Sequence, residues 1–431
     1  MAGSGGDSSL LVPIRWDREP RPIRLKPFRA WRPDPAIAAR VASPPYDVVN
    51  RDEAATLVHG NPFSFLHVGR ADIDLGPEVD PYDDRVYAKA RDNLRAFMLD
   101  GTLIQDRDPS LYLYELTMDN RTQVGIVGCV HVEDYEQNVI KKHERTRRDK
   151  EDDRTKHVLV LNANAEPVFL TYVGQPFIGR ANLAEMRAKP IYDFTCSTDG
   201  VRHRVWVVKN SEPYLDAFRR VDCAYVADGH HRSASAWRAG QERRAANPKH
   251  SGLEEYNWFL AVLFPTKDLH IMAYNRVVRD LNGLAVNDVL EQIGMLGTLT
   301  KTESAAPDQP WTIGIYLAGR WYRLEFDPIT INAHDPIKSL DADLLYERIL
   351  VPILGIGDIR SDSRIDFVGG GRGHAELERR VDSGEMAIAF ALHPVRIEQV
   401  MAIADGGGIM PPKTTWFEPK LKSGLFVHSL D

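Results

Sequence analysis

At 431 residues and a net charge of −7, the chain is long enough for about two or three domains and carries no overall positive field for duplex DNA or an anionic membrane. No apolar run reaches the ~20 residues of a membrane span, and residues 1–13 lack the basic start and apolar core of a signal peptide, so the expected address is the cytoplasm. The cysteines, Cys129, Cys196 and Cys223, are too few and unpatterned for a disulfide framework or a cysteine zinc site.

Residues 1–9 read as a flexible leader. Ser43-Pro44-Pro45-Tyr46-Asp47-Val48 is stiffened by its double proline and presents Tyr46 and Asp47 from a fixed backbone; the 61–68 stretch reads as a second extended piece with a structural His67. Val86, Ala90, Leu94 and Phe97 recur at helical spacing and predict a helix over 81–100, closed at Asp100-Gly101. Strands over 111–117 and 123–132 flank Asp119-Asn120, a hairpin turn.

From Lys141 to Arg154 no residue is apolar, and an apolar run over 158–161 follows. A solvated charged helix is one reading. However, Arg145 with Asp149, Arg147 with Glu151 and Arg148 with Asp152 place base before acid, the weaker order for helix support. The other reading is a cluster that handles a polyanionic ligand together with a metal ion.

Further along, a strand over 167–173, a short helix over 180–187, a segment at 191–194, a strand over 203–208 and a helix over 213–220 lead into the apolar run Cys223 to Ala227. That run ends at Asp228-Gly229-His230-His231-Arg232, and a helix is predicted to follow as far as Ala246. A strand turning through glycine directly into a helix leaves backbone N–H groups unpaired at the positive end of the helix dipole, which makes an anion site. Two imidazoles and a guanidinium would add donors for phosphate oxygens. With the buried strand predicted over 257–265, this forms a compact α/β unit.

Beyond His270 the pattern alternates: helices over 286–295, 336–350, 373–382 and 394–404, and strands over 311–317, 321–326, 363–368 and 386–392. Gly369-Gly370-Gly371 lacks a P-loop lysine and the spaced dinucleotide fingerprint and reads as a turn. The tail Met410 to Lys420 joins stiff prolines to polar and basic side chains. The expected fold class is mixed α/β, divided into the leader 1–9, an N-terminal α/β part (10–110), a core holding the charged cluster and the turn (111–270) and a C-terminal α/β part with a functional tail (271–431).

Four motifs in order, Pro44 to Val48, Lys142 to Arg154, Asp228 to Arg232 and Pro411 to Phe417, resemble the prokaryotic family catalogued as domain of unknown function 1015, over about 12–424. The central turn resembles the phosphate-binding turn of the ParB/sulfiredoxin-like superfamily (sulfiredoxin and partition-protein B), and most closely that of free serine kinases, which carry Asp-Gly-His-His-Arg there. The resemblance implies a ParB/sulfiredoxin-like nucleotide-binding core with additional α/β elements at both ends. It further implies phosphoryl transfer from ATP or ADP, with Mg2+, to the hydroxyl of free L-serine. His230 stands where sulfiredoxin has its reactive cysteine, which disfavours redox chemistry. The partition proteins' DNA-binding helices have no counterpart in the sequence, so no nucleic-acid partner is expected.

By that resemblance Asp228 to Arg232 (Asp228, Gly229, His230, His231, Arg232) hold the nucleotide phosphates, with Asp228 also a catalytic candidate. Chemistry makes Glu144 the candidate base that takes the serine proton. Its neighbours Lys142, His143 and Arg145 are expected to lower its pKa and keep it ionised. Lys142, His143, Arg145, Thr146, Lys150 and Arg154 are candidates for the nucleotide and its developing charge. Glu151, Asp152 and Asp153 are candidates for magnesium. Tyr46, Asp47, Lys413, Thr414, Thr415 and Trp416 are candidates for the substrate. The alternative function is a nucleotide-binding regulatory switch without a small-molecule acceptor. No membrane partner is expected, and homo-oligomerisation is left open.

Overall fold

The computed structural model describes residues 21–304 and 306–431; the expected leader at 1–9 lies outside them. The fold is mixed α/β. Its largest element is a nine-stranded sheet in the order Ile140–Lys141, Ala224–Asp228, Val168–Tyr172, Trp258–Pro265, Arg121–His131, Tyr112–Met118, Arg202–Val207 and Tyr192–Thr195, with Leu25–Lys26 also paired to Arg121–His131. Tyr112–Met118 and Arg121–His131 form the expected hairpin, and Asp119 and Asn120 both take the positive φ that such a two-residue turn needs.

The strand Ala224–Asp228 runs antiparallel to Val168–Tyr172, which is in turn parallel to Trp258–Pro265. The α/β unit around the glycine turn is therefore not a simple crossover: Val168–Tyr172 lies between its two strands, and they run in opposite senses. One face of the sheet is covered by helices that include Pro176–Glu185, Glu212–Phe218 and His230–Ala246. The other face receives Val400, Ile403, Met410, Phe417, Leu421, Leu425 and Phe426 from the far end of the chain. Burying such a side chain stabilises by about 1.5–3 kcal/mol, so this segment is part of the first core although it follows the second sheet in sequence.

That second sheet is six-stranded and antiparallel, in the order Gly297–Thr302, Arg320–Phe326, Thr312–Leu317, Ile388–Leu392, Tyr274–Val278 and Ile365–Gly369. Tyr274–Val278 is missed by apolar patterning because Asn275 and the fully buried Arg276 interrupt it. One expectation fails locally: the 61–68 stretch is not extended but enters the short helix Leu66–Gly69. The apolar run over 158–161 forms the last turn of the helix Arg148–Leu161. The helix expected over 336–350 is Asp341–Leu345 followed by a wider turn over Tyr346–Leu350. Among the described residues no helix is long and apolar enough to cross a membrane.

Candidate functional site

The buried strand Ala224–Asp228 delivers its last residue to Gly229, whose φ of +93° is left-handed, and the 17-residue helix His230–Ala246 begins at once. Glycine is required twice over at this position: the backbone disfavours a side chain, and a Cβ would lie 3.0 Å from Arg232 Nε and 3.1 Å from its Cζ. The amides of His230, His231 and Arg232 open the helix and have no acceptor within it. Asp228 Oδ1 accepts from the Gly229 amide at 2.9 Å, and Oδ2 faces Arg232 Nη2 at 3.5 Å and Lys420 Nζ at 3.7 Å. Burial alone would raise the Asp228 pKa, but Lys420 and Arg232 outweigh it and hold the carboxyl below the usual range. A carboxylate held this low stays ionised near neutrality, and it fastens the turn by accepting from the Gly229 amide.

Arg232 backs the turn from inside. It is 8% exposed, Nη1 donates to Pro167 O at 2.5 Å, and Nε and Nη2 have no hydrogen-bond partner. Burial works against its charge, but Asp47, Asp228 and Glu166 keep it protonated. Behind it a cavity of about 30 Å³ is lined by Arg154, Glu166, Arg232 and Ser235 among others, room for about one water. Arg232 therefore brings to the turn a buried, protonated guanidinium whose Nε and Nη2 have no partner.

The charged segment does reach the turn. The His143 and His230 rings meet edge to face at 4.5 Å, the Arg147 amide donates to His231 Nε2 at 3.1 Å, and Ser235 Oγ donates to Glu151 O at 3.2 Å. Burial pushes the His143 pKa well down and that of His230 to about 4, so both rings are neutral near pH 7; His143 Nδ1 and His230 Nε2 are buried without partners. His231 is also lowered by burial, against the pull of Glu144, Asp47 and Glu151. With Nε2 accepting from Arg147, its proton sits on Nδ1.

Successive side chains of the irregular stretch after Lys141 point apart. Lys142 Nζ lies 4.1 Å from the Tyr135 ring centroid, with its pKa lowered by burial; His143 turns to His230; Arg145 is exposed. Glu144 is consequently not governed by those neighbours. Burial raises its pKa, Lys413 and His231 pull it down, and Asp228 pushes it up, so the expected lowering by Lys142, His143 and Arg145 is overturned.

The remaining cluster residues are tied among themselves. Thr146 donates to Glu151, whose other oxygen faces Arg238 Nη1 at 3.4 Å; Asp152 meets Arg238 Nη2 at 2.6 Å. Asp153 accepts from Tyr87 at 2.7 Å and from Arg154 Nε at 2.8 Å. Lys150 donates to the Tyr82 hydroxyl, and the Arg154 guanidinium stacks on Tyr46 at 4.0 Å. Glu151, Asp152 and Asp153 thus do not converge on a shared magnesium, and no group of three or more metal-ligating side chains gathers among the described residues.

The tail is clamped to the same place. The Met410 amide donates to His143 O at 2.8 Å, and Thr415 Oγ1 lies 3.5 Å from His143 Nε2. Thr414 is buried and donates to Pro411 O at 2.6 Å, while the partly buried Trp416 pairs with Met272 and packs against Tyr274 at 5.0 Å, contacts that hold the loop in place. Lys413 is exposed, in left-handed backbone (φ +57°), with Nζ 5.8 Å from the Tyr274 ring. Tyr46 is half-buried under Arg154 and Asp47 is exposed.

Sequence reasoning missed Lys420, Glu166, Tyr274 and Arg360. Glu166 is buried, accepts from Ser423 Oγ at 3.0 Å, and is raised by burial against the pull of Arg232 and Arg154. Its signal was a lone carboxylate between apolar residues and Pro167. Arg360, whose charge reaches Glu144, comes from a loop of the second sheet and had no local signal.

The family model described as "Protein of unknown function (DUF1015)" matches residues 25–343, so the tail motif lies beyond its match. No curated protein matches. Among solved structures, a free serine kinase mutant in complex with AMP aligns at TM-score 0.35 and 13% identity, covering 69% of this chain and 90% of that one. A conserved hypothetical protein from Pyrococcus furiosus aligns at 0.36 and 15% (70% and 94% covered), and C-terminally truncated SbnI from Staphylococcus aureus at 0.37 and 12% (70% and 87%). Likeness at this level carries no functional weight, and the site has to be read on its own geometry.

Proposed function

The chain belongs to the DUF1015 family, and from that premise we propose that it is a small-molecule kinase that moves a phosphoryl group from ATP or ADP to a hydroxyl, with free L-serine as the acceptor. The observation that supports this most is the conjunction at the turn. Three helix-opening amides and the buried, unpartnered His230 Nε2 and His143 Nδ1 gather at the turn, and Glu144, a carboxyl that forms no ion pair with any described residue, feels the charges of His231 and Asp228 there. Buried polar atoms left without partners cost free energy, and those that carry a proton, as Arg232 Nε and Nη2 do, are compensated when an anion with several acceptor oxygens binds.

In this reading the terminal phosphates lie on the amides of His230, His231 and Arg232, with the Arg232 charge behind them and His231 Nδ1–H at the side. The acceptor hydroxyl attacks the terminal phosphorus; the new O–P bond forms as the bridging P–O bond breaks, the nucleotide leaves one phosphate shorter, and the hydroxyl proton passes to Glu144. A carboxyl raised by burial is better matched to this transfer near neutral pH than an ordinary one. Magnesium would contribute charge neutralisation on the phosphates, but Glu151, Asp152 and Asp153 do not form a set fitted to hold it, and no step is drawn through it.

The test is incubation with ATP or ADP, Mg2+ and L-serine, with O-phosphoserine detected by phosphorus NMR. Glu144→Gln is expected to bind nucleotide with unchanged affinity by calorimetry while transfer is lost. Absence of product with every common hydroxyl amino acid overturns the serine reading; nucleotide binding that persists with no acceptor supports the regulatory switch instead.

A further inference from the structure

The far end of the tail is fastened beside the glycine turn. Phe169 is the residue paired with Asp228 in the neighbouring strand, and the buried Phe417 ring lies 5.9 Å from the Phe169 ring. Leu421 is buried in the same core, so the short stretch between Phe417 and Leu421 is held against the end of Ala224–Asp228. Lys420 is the cation of that stretch. Its ammonium lies 4.5 Å from the Trp416 ring centroid and 3.7 Å from Asp228 Oδ2, and it donates no hydrogen bond to a described residue. The tail's own carboxylate, Glu418, accepts instead from Trp416 Nε1 at 2.7 Å. Asp228 Oδ2 is also faced by Arg232 Nη2 at 3.5 Å, and neither cation has a second ion pair among the described residues. Two cations against one carboxylate leave a positive charge over. It sits where the opening amides of a 17-residue helix have no acceptor and the buried Arg232 keeps Nε and Nη2 without partners. Both contacts to Oδ2 are longer than the ~2.7–2.9 Å of a charge-assisted hydrogen bond, so Asp228 does not consume the donors of Lys420.

We infer that Lys420 is a phosphate-binding residue: its ammonium meets the terminal phosphates of a nucleotide lying on the amides of His230, His231 and Arg232, and makes the site prefer a di- or triphosphate to a monophosphate. The inference rests on the nucleotide half of the kinase reading and adds to it a specificity-determining side chain from the tail. Lysine suits the role, because a compact charge on a flexible stem turns from Oδ2 to a phosphate oxygen without moving the backbone that Phe417 and Leu421 hold. Asp228 keeps its bond from the Gly229 amide at 2.9 Å and stays behind to hold the turn. Losing one charge-assisted contact predicts a loss on the order of 10- to 100-fold for the ligands that use it.

The experiment titrates adenosine, AMP, ADP and ATP into the full-length protein by calorimetry, with thermal melts of each free variant to show that it is folded. The parent protein is expected to bind ADP and ATP more tightly than AMP. Lys420→Met should weaken ADP and ATP by about 10- to 100-fold and leave adenosine unchanged, and Lys420→Arg should keep most of the affinity. Asp228→Asn separates phosphate binding from simple charge balance. If Lys420 only neutralises Asp228, Lys420→Met costs nothing further in the Asp228→Asn background; a phosphate contact loses the same factor in both backgrounds. Equal weakening of adenosine and ADP, or disappearance of the loss in Asp228→Asn, overturns the inference. Lysine-dependent phosphate preference without transfer to any hydroxyl leaves the role of Lys420 standing and sinks the kinase reading. O-phosphoserine formed by Lys420→Met at an unchanged KM for the nucleotide does the reverse, and a parent protein that binds none of the four overturns both.

Discussion

The two sheets contain the same local unit, a strand that runs through glycine into a helix, and the units differ in what they leave unsatisfied. In the first, Ala224–Asp228 turns at Gly229 into His230–Ala246; in the second, Ile365–Gly369 passes through Gly370–Arg372 into Gly373–Asp382. Around the second unit the glycines serve packing: a Cβ on Gly369 would lie 2.7 Å from the Trp416 ring, and one on Gly370 2.8 Å from Ala273 O. Its helix is anchored by satisfied contacts, Arg380 to Asp366 and Glu385 at 2.6 and 2.8 Å, Trp321 to Glu378 at 2.7 Å and Tyr316 to Asp382 at 3.0 Å. Around the first unit His143, His230 and Arg232 keep buried nitrogens without partners, four in all, whereas beside the second unit Arg276 Nε, on the strand paired with Ile365–Gly369, is unpartnered. A strand–glycine–helix turn is thus a scaffold, and the two differ in how much hydrogen-bonding capacity gathers unmet around them, which on the proposed reading is what a ligand would satisfy at the first.

The largest expected effect is at Glu144. Glu144→Gln should reduce transfer by about 10²- to 10⁴-fold, the usual contribution of a positioned base, whereas a variant of the second unit should leave transfer unchanged. Next comes a stability difference in the second sheet. Burial pushes the Asp341 carboxyl up to about 7 against its hydrogen bond from the Trp311 amide at 2.5 Å. Its folded pKa lies above the unfolded value of 3.8, so the folded state holds the extra proton. Stability should therefore fall as pH rises from about 4 to about 7, by up to about 1.4 kcal/mol per pH unit, and level off above. Asp228, shifted the other way, stabilises above its unfolded pKa and loses that contribution as pH falls. Urea unfolding at pH 5 and pH 8 should show a smaller difference between the two conditions in Asp341→Asn than in the parent protein, by the Asp341 share.

A pair of glycine substitutions sharpens the contrast further. Gly229→Ala meets both a positive φ and Arg232, and should cost about 1–3 kcal/mol together with nucleotide affinity. Gly373→Ala has open space around it but a backbone at φ +70° and ψ 177° that is open essentially to glycine alone, and should also cost about 1–3 kcal/mol but with nucleotide affinity intact. Thermal melts with and without ADP separate the two outcomes. The smallest effect is expected for Arg380→Ala, whose half-exposed partners limit the loss to about 1 kcal/mol or less; a change in nucleotide binding there would break the contrast between the two turns.

Much of the site was legible one segment at a time. The apolar run before Asp228, the glycine and the helix after it are visible in the sequence because strand, turn and helix are local preferences. Gly229 was legible as a turn, though not as the seat of Arg232. Lys413 was legible as a tail cation, but the internal contacts of Thr414 with Pro411 and of Trp416 with Met272 and Tyr274 were not, because a loop's clamp and its exposed tip share one composition. The three carboxylates of the charged helix looked like a metal set because they are adjacent in sequence, but adjacent helical positions are about 100° apart, and Glu151 and Asp152 pair with Arg238 while Asp153 pairs with Arg154.

The sequence by itself determined the local elements and the chemical types at the turn: a strand ending in Asp228, a glycine that must be glycine, a helix start rich in donors, and two stiff proline segments. Only the tertiary structure decided which charges meet. Glu144 answers to Lys413 and His231 instead of its chain neighbours, Arg232 lies beneath the turn, and the tail returns across the first core to bring Lys420 to Asp228. The reason is physical: backbone propensity acts over a few residues, whereas a pKa or an ion pair depends on distances of a few ångströms that are set by the burial of Phe417, Leu421, Leu425 and Phe426 against a sheet assembled far earlier in the chain.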